Sequence, residues 1–352
     1  MEEPLLSGDE ARFPSGSPVA SGGPLLVFGA GSMGREITER LGLAGISVQA
    51  FLDNNRHFWH EKVDGLPVLN PAELRDADKA TVILASVWAA EMRTQCLSMG
   101  VEDIVSMAEA VRRFKLVHAF EEITCGAAVD GLRVWDDDGS RATYRALLRF
   151  RATLDLAELP PPMPDTYFTS LAAKPENLRV FVDCGAFTGD TYLQYRQNAG
   201  DVYEHYYGFE PDPPTFAVLQ RNVSDDPRAS VYNQGLGKTS GTVAFYSLSN
   251  GVSKIGDGGT ARIQIDSLDN VLGSNPVTMI KMDIEGYELE ALAGAEKIIR
   301  SQRPLLAISC YHQLDHYWRI PLWINGLDLG YRLRLLHHGP SYAESVCYGI
   351  PG

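Results

Sequence analysis

Two stretches of the chain share one pattern: a short apolar run, a glycine-rich turn, then apolar positions at helical spacing. The first is PLLVFGAGSMGREITERL, Pro24 to Leu41, and the second is LRVFVDCGAFTGDTYLQYR, Leu178 to Arg196. Apolar runs of strand length come after each of them. They lie at Ser47–Leu52 and Ala80–Ala85 in the first half, and at His205–Phe209, Val277–Met282 and Pro304–Ser309 in the second. Such runs alternating with helical patterns mark parallel strands joined by crossover helices. The expectation is an α/β chain of two doubly wound, Rossmann-like domains, over residues 24–118 and 167–352.

Residues 119–166 read as a helical and turn connector. Asp130-Gly131 and Asp138-Gly139 are expected to turn, and SRATYRALLRFRATLDL to form a helix opened by Ser140. The stretch LPPPMP closes the connector, because proline rings stiffen the backbone and block a helix. The Asp136–Asp138 run lacks the spacing of a calcium loop and reads as a solvated turn. Residues 1–23 are rich in Ser, Gly and Pro, which predicts a flexible tail. They lack the basic start and apolar stretch of a secretory signal.

Composition narrows the classes further. A chain of 352 residues, 45% hydrophobic and 22% charged, is ordinary for a soluble globular protein. No apolar run approaches the roughly 20 residues that cross a bilayer. A formal charge of −14, with no Lys/Arg cluster interleaved with aromatics, argues against a nucleic-acid partner. The five cysteines (Cys96, Cys125, Cys184, Cys310 and Cys347) form no CxxC pair, so reduced thiols in a cytoplasmic protein are expected.

Candidate chemistry gathers in the second half. In VFVDCGAFTG, Val180 to Gly189, a strand ends at Asp183, and Gly185 and Gly189 let the backbone turn and approach a ligand. A carboxylate there suits the cationic amino-acid end of S-adenosylmethionine; a generic Rossmann turn is the alternative. In YGFEPD, Tyr207 to Asp212, Glu210 ends the next strand, where an acid can accept both hydroxyls of a ribose. Asp212 caps the helix that Pro213 and Pro214 begin. That logic serves NAD equally. In VTMIKMDIEGYELEALAGA, Val277 to Ala295, Asp283 and Glu285 are expected over the mouth of the cleft, and Leu289, Leu292 and Ala293 on the inward face of a helix.

These segments resemble the FkbM family of methyltransferases. VDCGAFTGDT, GFEPD and IKMDIEGYELEALAGA carry the resemblance, which extends through RPLLAISCYHQLDHYWRIPLWI to the closing ESVCYGIP. It implies a class I methyltransferase fold and S-adenosylmethionine as cofactor. It implies that Asp183, Gly185, Ala186, Phe187 and Gly189 line the methionine part, that Glu210 holds the ribose, and that Gln234 lies near adenine. Phe187 stands where many class I relatives carry glycine, although a bulky residue is common within this family.

Methylating a hydroxyl requires an aligned acceptor and somewhere for its proton to go. His312, just past the strand Pro304–Ser309, is the first candidate base, with Asp315 to orient it; Asp283 is the second. A cap for the next helix is the bland reading of His312. A metal held by Asp283, His312 and His337 or His338 is possible on ligand type alone. Tyr311, Tyr317 and Trp318 are expected either to wall an acceptor or to join the core.

In the first half, Gly29-x-Gly31-x-x-Gly34 lies between strand and helix, with Asp53 about 20 residues further on. This predicts a site for NAD or a nucleotide-sugar, with an empty scaffold used for docking or homo-oligomer formation as the alternative. The segment resembles the nucleotide-binding domains found ahead of sugar-modifying transferases. The whole reads as a methyltransferase acting on a hydroxyl of a sugar, glycan or small metabolite. Its rivals are a nucleotide-binding regulatory or assembly protein with an inactive methyltransferase domain, and an NAD-dependent oxidoreductase.

Overall fold

The computed structural model describes residues 23–74, 77–116, 123, 126–169, 174–246, 254–255 and 261–352. The expected tail therefore lies outside the described residues, apart from Gly23, as does Cys125. The chain divides into two compact units, one of residues up to 125 together with 146–159, the other of residues 126–145 together with 160–352. The segment expected as a connector is thus shared between the units. Both are mixed α/β with largely parallel sheets.

In the first unit the strands are β1 (Leu25–Phe28), β2 (Ala50–Leu52), β3 (Lys62–Val63), β4 (Leu66–Leu69), β5 (Thr81–Leu84) and β6 (Asp103–Ser106), in the sheet order β3-β4-β2-β1-β5-β6. All neighbours pair parallel except β3, which runs against β4. β1 and β5 are buried along their whole length, which is why their sequences are apolar without alternation. Leu26, Phe28, Val82, Leu84 and Cys96 form one core on this sheet. Glu36, in the helix Ser32–Leu43, is held 2.7 Å from Arg40 and 3.1 Å from Arg151. Burial works to raise its pKa, but Arg151 and then Arg40 bring it below the usual carboxylate value.

In the second unit the strands of the main sheet are β7 (Val180–Cys184), β8 (His205–Phe209), β9 (Ala229–Tyr232), β14 (Met279–Met282), β15 (Leu305–Ser309), β16 (Arg332–His337) and β17 (Ser345–Ile350). Their order is β16-β17-β15-β14-β7-β8-β9. β17 runs antiparallel to both its neighbours, and the other pairs are parallel. From β7 the chain builds outward through β8 to β9, then returns to the other side of β7 as β14 and β15. That reversal opens a crevice at the carboxyl ends of β7 and β14. Phe181, Tyr195 and Tyr206 are fully buried in the core beneath it, with the rings of Phe181 and Tyr195 4.7 Å apart. Each such ring contributes on the order of 2 kcal/mol by burial.

A second sheet, of β10 (Gly235–Leu236), β11 (Gly241–Tyr246), β12 (Lys254–Ile255) and β13 (Ala261–Asp266), packs around Phe245, Ile263 and Ile265. Nothing in the apolar pattern announced it, because its strands are short or alternate with exposed residues.

The expected turns at Asp130-Gly131 and Asp138-Gly139 are helical instead. The first lies inside the helix Gly126–Arg133, and the second opens the helix Asp138–Thr153. A Cβ on Gly131 would meet the Trp318 Cβ at 2.6 Å, so this glycine serves close packing rather than a turn. Asp137, not Ser140, supplies the cap: its carboxylate accepts from the Ser140 backbone N–H (2.8 Å) and hydroxyl (3.0 Å).

Candidate active site

A cavity of about 550 Å³ opens at the carboxyl ends of β7, β8 and β14. Its first wall is the loop after β7. Gly185 has φ 84, and a Cβ on it would fall 2.1 Å from the carbonyl oxygen of Asp283, so only glycine lets the ends of β7 and β14 approach this closely. The Gly185 and Ala186 N–H groups donate to the Phe209 carbonyl at 3.0 and 2.9 Å. Phe187 comes next with φ 46, an uncommon conformation for a large side chain, and lines the cavity. Its N–H donates to Glu210 Oε2 at 3.1 Å.

Glu210 ends β8 and is nearly buried. Its other oxygen accepts from the Asp212 N–H at 2.8 Å, while Asp212 Oδ2 accepts from the Thr215 N–H at 3.2 Å and caps the next helix. Burial pushes the Glu210 carboxyl up to about 7, against the pull of those two amides. Gln234, between β9 and β10, also lines the cavity, and its buried amide nitrogen has no hydrogen-bond partner among the described residues.

Asp183 stands elsewhere than expected. It is fully buried and does not line the cavity. Its Oδ1 lies 2.9 Å from Lys281 Nζ, and its Oδ2 accepts from Tyr206 Oη at 3.0 Å. Burial raises its pKa even against Lys281. The carboxylate is consumed by the core and leaves nothing for a ligand's amino group. Ala186 is buried too, and with Gly189 (φ 90) it shapes the loop behind the cavity wall.

Lys281, by contrast, was not anticipated from the sequence. Its Nζ pairs with Asp183, donates to the Gly185 carbonyl at 2.7 Å and faces the Tyr167 ring at 5.4 Å, so it ties the glycine loop to β14. The signal was a single lysine inside the otherwise apolar TMIKM.

The acidic end of the cavity is built by Asp283, just past β14. Its Oδ2 accepts from Tyr167 Oη at 2.8 Å and its Oδ1 from Tyr311 Oη at 3.1 Å. Burial would raise this carboxyl, but Lys281 and then His312 hold it below its ordinary value. Glu285 (φ 55) and Gly286 (φ 99) turn the chain sharply after it, and Asp283 and Glu285 both line the cavity as expected.

His312 stands behind Asp283 and does not line the cavity. Its Nδ1 is 2.8 Å from Glu288 Oε1, and its Nε2 is 3.4 Å from Asp283 Oδ1 and 3.8 Å from Glu285 Oε2. Burial would lower its pKa, yet the carboxylates, Glu288 foremost, raise it to about 9. The imidazole is therefore no free base at neutral pH. Asp315 does not orient it, being paired with Arg319 at 2.8 Å. That role falls to Glu288, which also accepts the Ile284 and Gly286 N–H groups at 2.9 and 3.3 Å. Glu288 is fully buried and its pKa lies well below the usual range: burial opposes this, and His312 prevails. Glu288, Ala291 and Leu292 form the buried face of the helix Glu288–Gly294, whereas Leu289 and Ala293 are only half-buried.

His337 and His338 do not join this group. His337 Nδ1 faces Ser345 Oγ at 3.0 Å; His338 Nδ1 faces the Met163 carbonyl at 3.0 Å and its Nε2 faces Tyr348 Oη at 2.9 Å. Burial lowers both, His337 to about 4. Among the described residues, the side chains whose ligand atoms converge, within 4.8 Å, are Asp283, Glu288 and His312. Of the expected aromatic wall, Tyr311 lines the cavity while Tyr317 and Trp318 are buried in the core.

In the first unit, Gly29 has φ 111, and a Cβ on Gly34 would fall 1.8 Å from the Gly29 carbonyl oxygen, so both glycines are fixed by close packing of strand and helix. A Cβ on Gly31 would meet open space. Asp53 lies just past β2 and accepts from the Ala30 N–H at 2.8 Å and the Asn55 N–H at 2.7 Å.

The model of the methyltransferase FkbM domain matches residues 183–333, from the end of β7 into β16. Over that stretch the chain is similar to the FkbM methyltransferases. Over 102 residues it is 32% identical to the hexuronic acid methyltransferase AglP of Haloferax volcanii, a match covering 27% of this chain and 43% of that protein. The chain thus spans less than half the length of this curated relative. The crystal structure of methyltransferase FkbM from Methylobacillus flagellatus KT aligns with 93% of this chain and 90% of its own, at a TM-score of 0.68 and 24% identity. The two share a fold. Among the described residues no helix is long and apolar enough to cross a membrane.

Proposed function

We propose that the second unit binds S-adenosylmethionine in the 550 Å³ cavity and methylates a hydroxyl of a sugar acid. The observation that carries this reading is the pairing, in one cavity, of Glu210 at one strand end with Asp283 at another. The residues fit such a ligand. Glu210 keeps a free lone pair on each oxygen for the ribose hydroxyls, the unpartnered Gln234 amide faces the adenine, and the glycine loop cradles the methionine part. The cofactor supplies a methyl carbon made electrophilic by its sulfonium. Asp283 takes the proton of the acceptor hydroxyl as that oxygen becomes alkylated. An oxygen undergoing alkylation is far more acidic than a free alcohol, so a carboxylate below its ordinary pKa suffices. Tyr167 and Tyr311 hold the carboxylate in place. The AglP relative favours a hexuronic acid as acceptor.

We read both units as doubly wound and Rossmann-like, the second with a class I methyltransferase sheet, and the first as a site for a nucleotide-sugar or NAD at Gly29, Gly31, Gly34 and Asp53. The strand-order reversals beside β1 and β7 support this. Buried free thiols at Cys96, Cys184, Cys310 and Cys347 fit a cytoplasmic protein.

The test is an acceptor screen. The full-length chain is incubated with methyl-labelled S-adenosylmethionine and matched pairs of glycosides bearing glucuronic acid or glucose, and products are mapped by mass spectrometry. Label on a hydroxyl of the uronic acid is expected. Label on the neutral sugars alone, or on no glycoside, would overturn the acceptor class.

A further inference from the structure

We propose that His312 Nε2, Asp283 Oδ1 and a carboxylate oxygen of Glu285 form a site for one divalent transition-metal ion beside the cavity, with Glu288 as the residue that positions the imidazole. The ion's role rests on the methyl-transfer reading; its binding does not.

The ring's orientation is the first support. His312 turns its Nδ1 edge to Glu288 Oε1, 2.8 Å away, and both side chains are buried. Glu288 cannot swing away, because the same oxygen accepts two backbone N–H groups. An imidazole held through Nδ1 by a carboxylate turns Nε2 to the far side, where a metal ion takes the place of the Nε2 proton. That arrangement fixes a metal-ligating histidine in many sites.

The second support is what Nε2 meets there. The His312 side chain is 7% exposed, and Nε2 finds no hydrogen-bond partner among the described residues. It faces Asp283 Oδ1 at 3.4 Å and Glu285 Oε2 at 3.8 Å. These separations are long for hydrogen bonds. Two ligands of one ion, each about 2.1 Å from it, stand roughly 3–4 Å apart. Each Asp283 oxygen accepts one tyrosine hydroxyl, Oδ2 from Tyr167 and Oδ1 from Tyr311, which leaves a lone pair on Oδ2 for the acceptor and one on Oδ1 for the ion.

Charge is the third. Asp283, Glu285 and Glu288 bring three carboxylates around one imidazole, and the nearby Lys281 is occupied by Asp183 and the Gly185 carbonyl. One imidazole nitrogen with two carboxylates suits manganese, cobalt or zinc better than magnesium or calcium. The open side of the ion would face the cavity that Asp283 and Glu285 line. A uronic acid fits there, since its carboxylate and ring-substituent oxygens can chelate such an ion and so bring one hydroxyl into a fixed position.

The experiment titrates metal-stripped, full-length protein with Mn²⁺ and tracks the paramagnetic resonance signal of the free ion. Calorimetry with S-adenosylmethionine on the same samples reports folding and tests the cofactor site separately. Saturable binding of one Mn²⁺ is expected. It should weaken at least tenfold in each of His312→Gln, Glu285→Gln and Glu288→Gln, with a cooperative thermal melt kept in Glu285→Gln. Absence of saturable Mn²⁺ binding in a wild-type chain that binds the cofactor would overturn the proposal. So would Mn²⁺ affinity unchanged in both His312→Gln and Glu285→Gln.

Discussion

A carboxylate buried without a cation beside it costs free energy, and Glu210 is in that position. Its pKa is pushed from 4.5 to about 7, so between these values the folded chain holds a proton that the unfolded chain has released. Stability therefore falls as pH rises through this window. Glu210→Gln should remove that slope and raise the melting temperature of the ligand-free protein at pH 8 relative to wild type, with little change at pH 4.5. Thermal melts at the two pH values check this; equal shifts at both would contradict it. Asp283→Asn belongs to the same scale. It should lower turnover by about 100-fold or more while changing cofactor affinity only a few-fold, as expected for a proton acceptor. Label incorporation at saturating cofactor, set beside calorimetry, separates the two effects. Glu210, Gln234 and Asp283 were legible in the sequence as acids or amides at strand ends. Glu288 and Lys281 were not, because their meaning depends on His312 and Asp183, which only the fold brings to them. Asp183 misled for the converse reason. A strand-end acid beside glycines looks like a ligand contact until a lysine from the neighbouring strand claims it.

Among the elements, β7 and β14 matter most, since the cavity opens where their ends meet. Lys281 joins them from beneath, and removing its charge as Lys281→Met leaves Asp183 buried and unpaired. Such a change costs about 3–5 kcal/mol. Adding Asp183→Asn should recover part of that loss, a coupling that urea denaturation of the four proteins in the cycle would measure. Independent, additive losses would show that the pair does not act as a unit. Gly131→Ala should destabilise by about 1–3 kcal/mol despite the better helix propensity of alanine, because the new Cβ meets Trp318. The longer elements could be read from apolar runs: β8 lies where its sequence predicts, and β14 and β15 begin slightly later than their runs. The sheet of β10 to β13 could not, since Gly235–Leu236 and Lys254–Ile255 are too short to carry any period. That sheet nonetheless brings Leu236 and Phe245 to the cavity.

At the scale of the molecule, two units carry similar strand–glycine–helix beginnings, and the acid after the second strand is held alike in both. Asp53 and Glu210 each accept one backbone N–H from the glycine loop and one from two residues further on. The 550 Å³ cavity that joins such an acid to a second one, Asp283, stands in the second unit. One chain is therefore expected to hold one S-adenosylmethionine. The direct measurement is a calorimetric titration of the full-length chain and its Glu210→Gln variant with S-adenosylmethionine. A single site is expected in the wild type, weakened about 10- to 100-fold in Glu210→Gln through loss of charged hydrogen bonds to the ribose. No binding, two equivalent sites, or an affinity indifferent to Glu210 would contradict it.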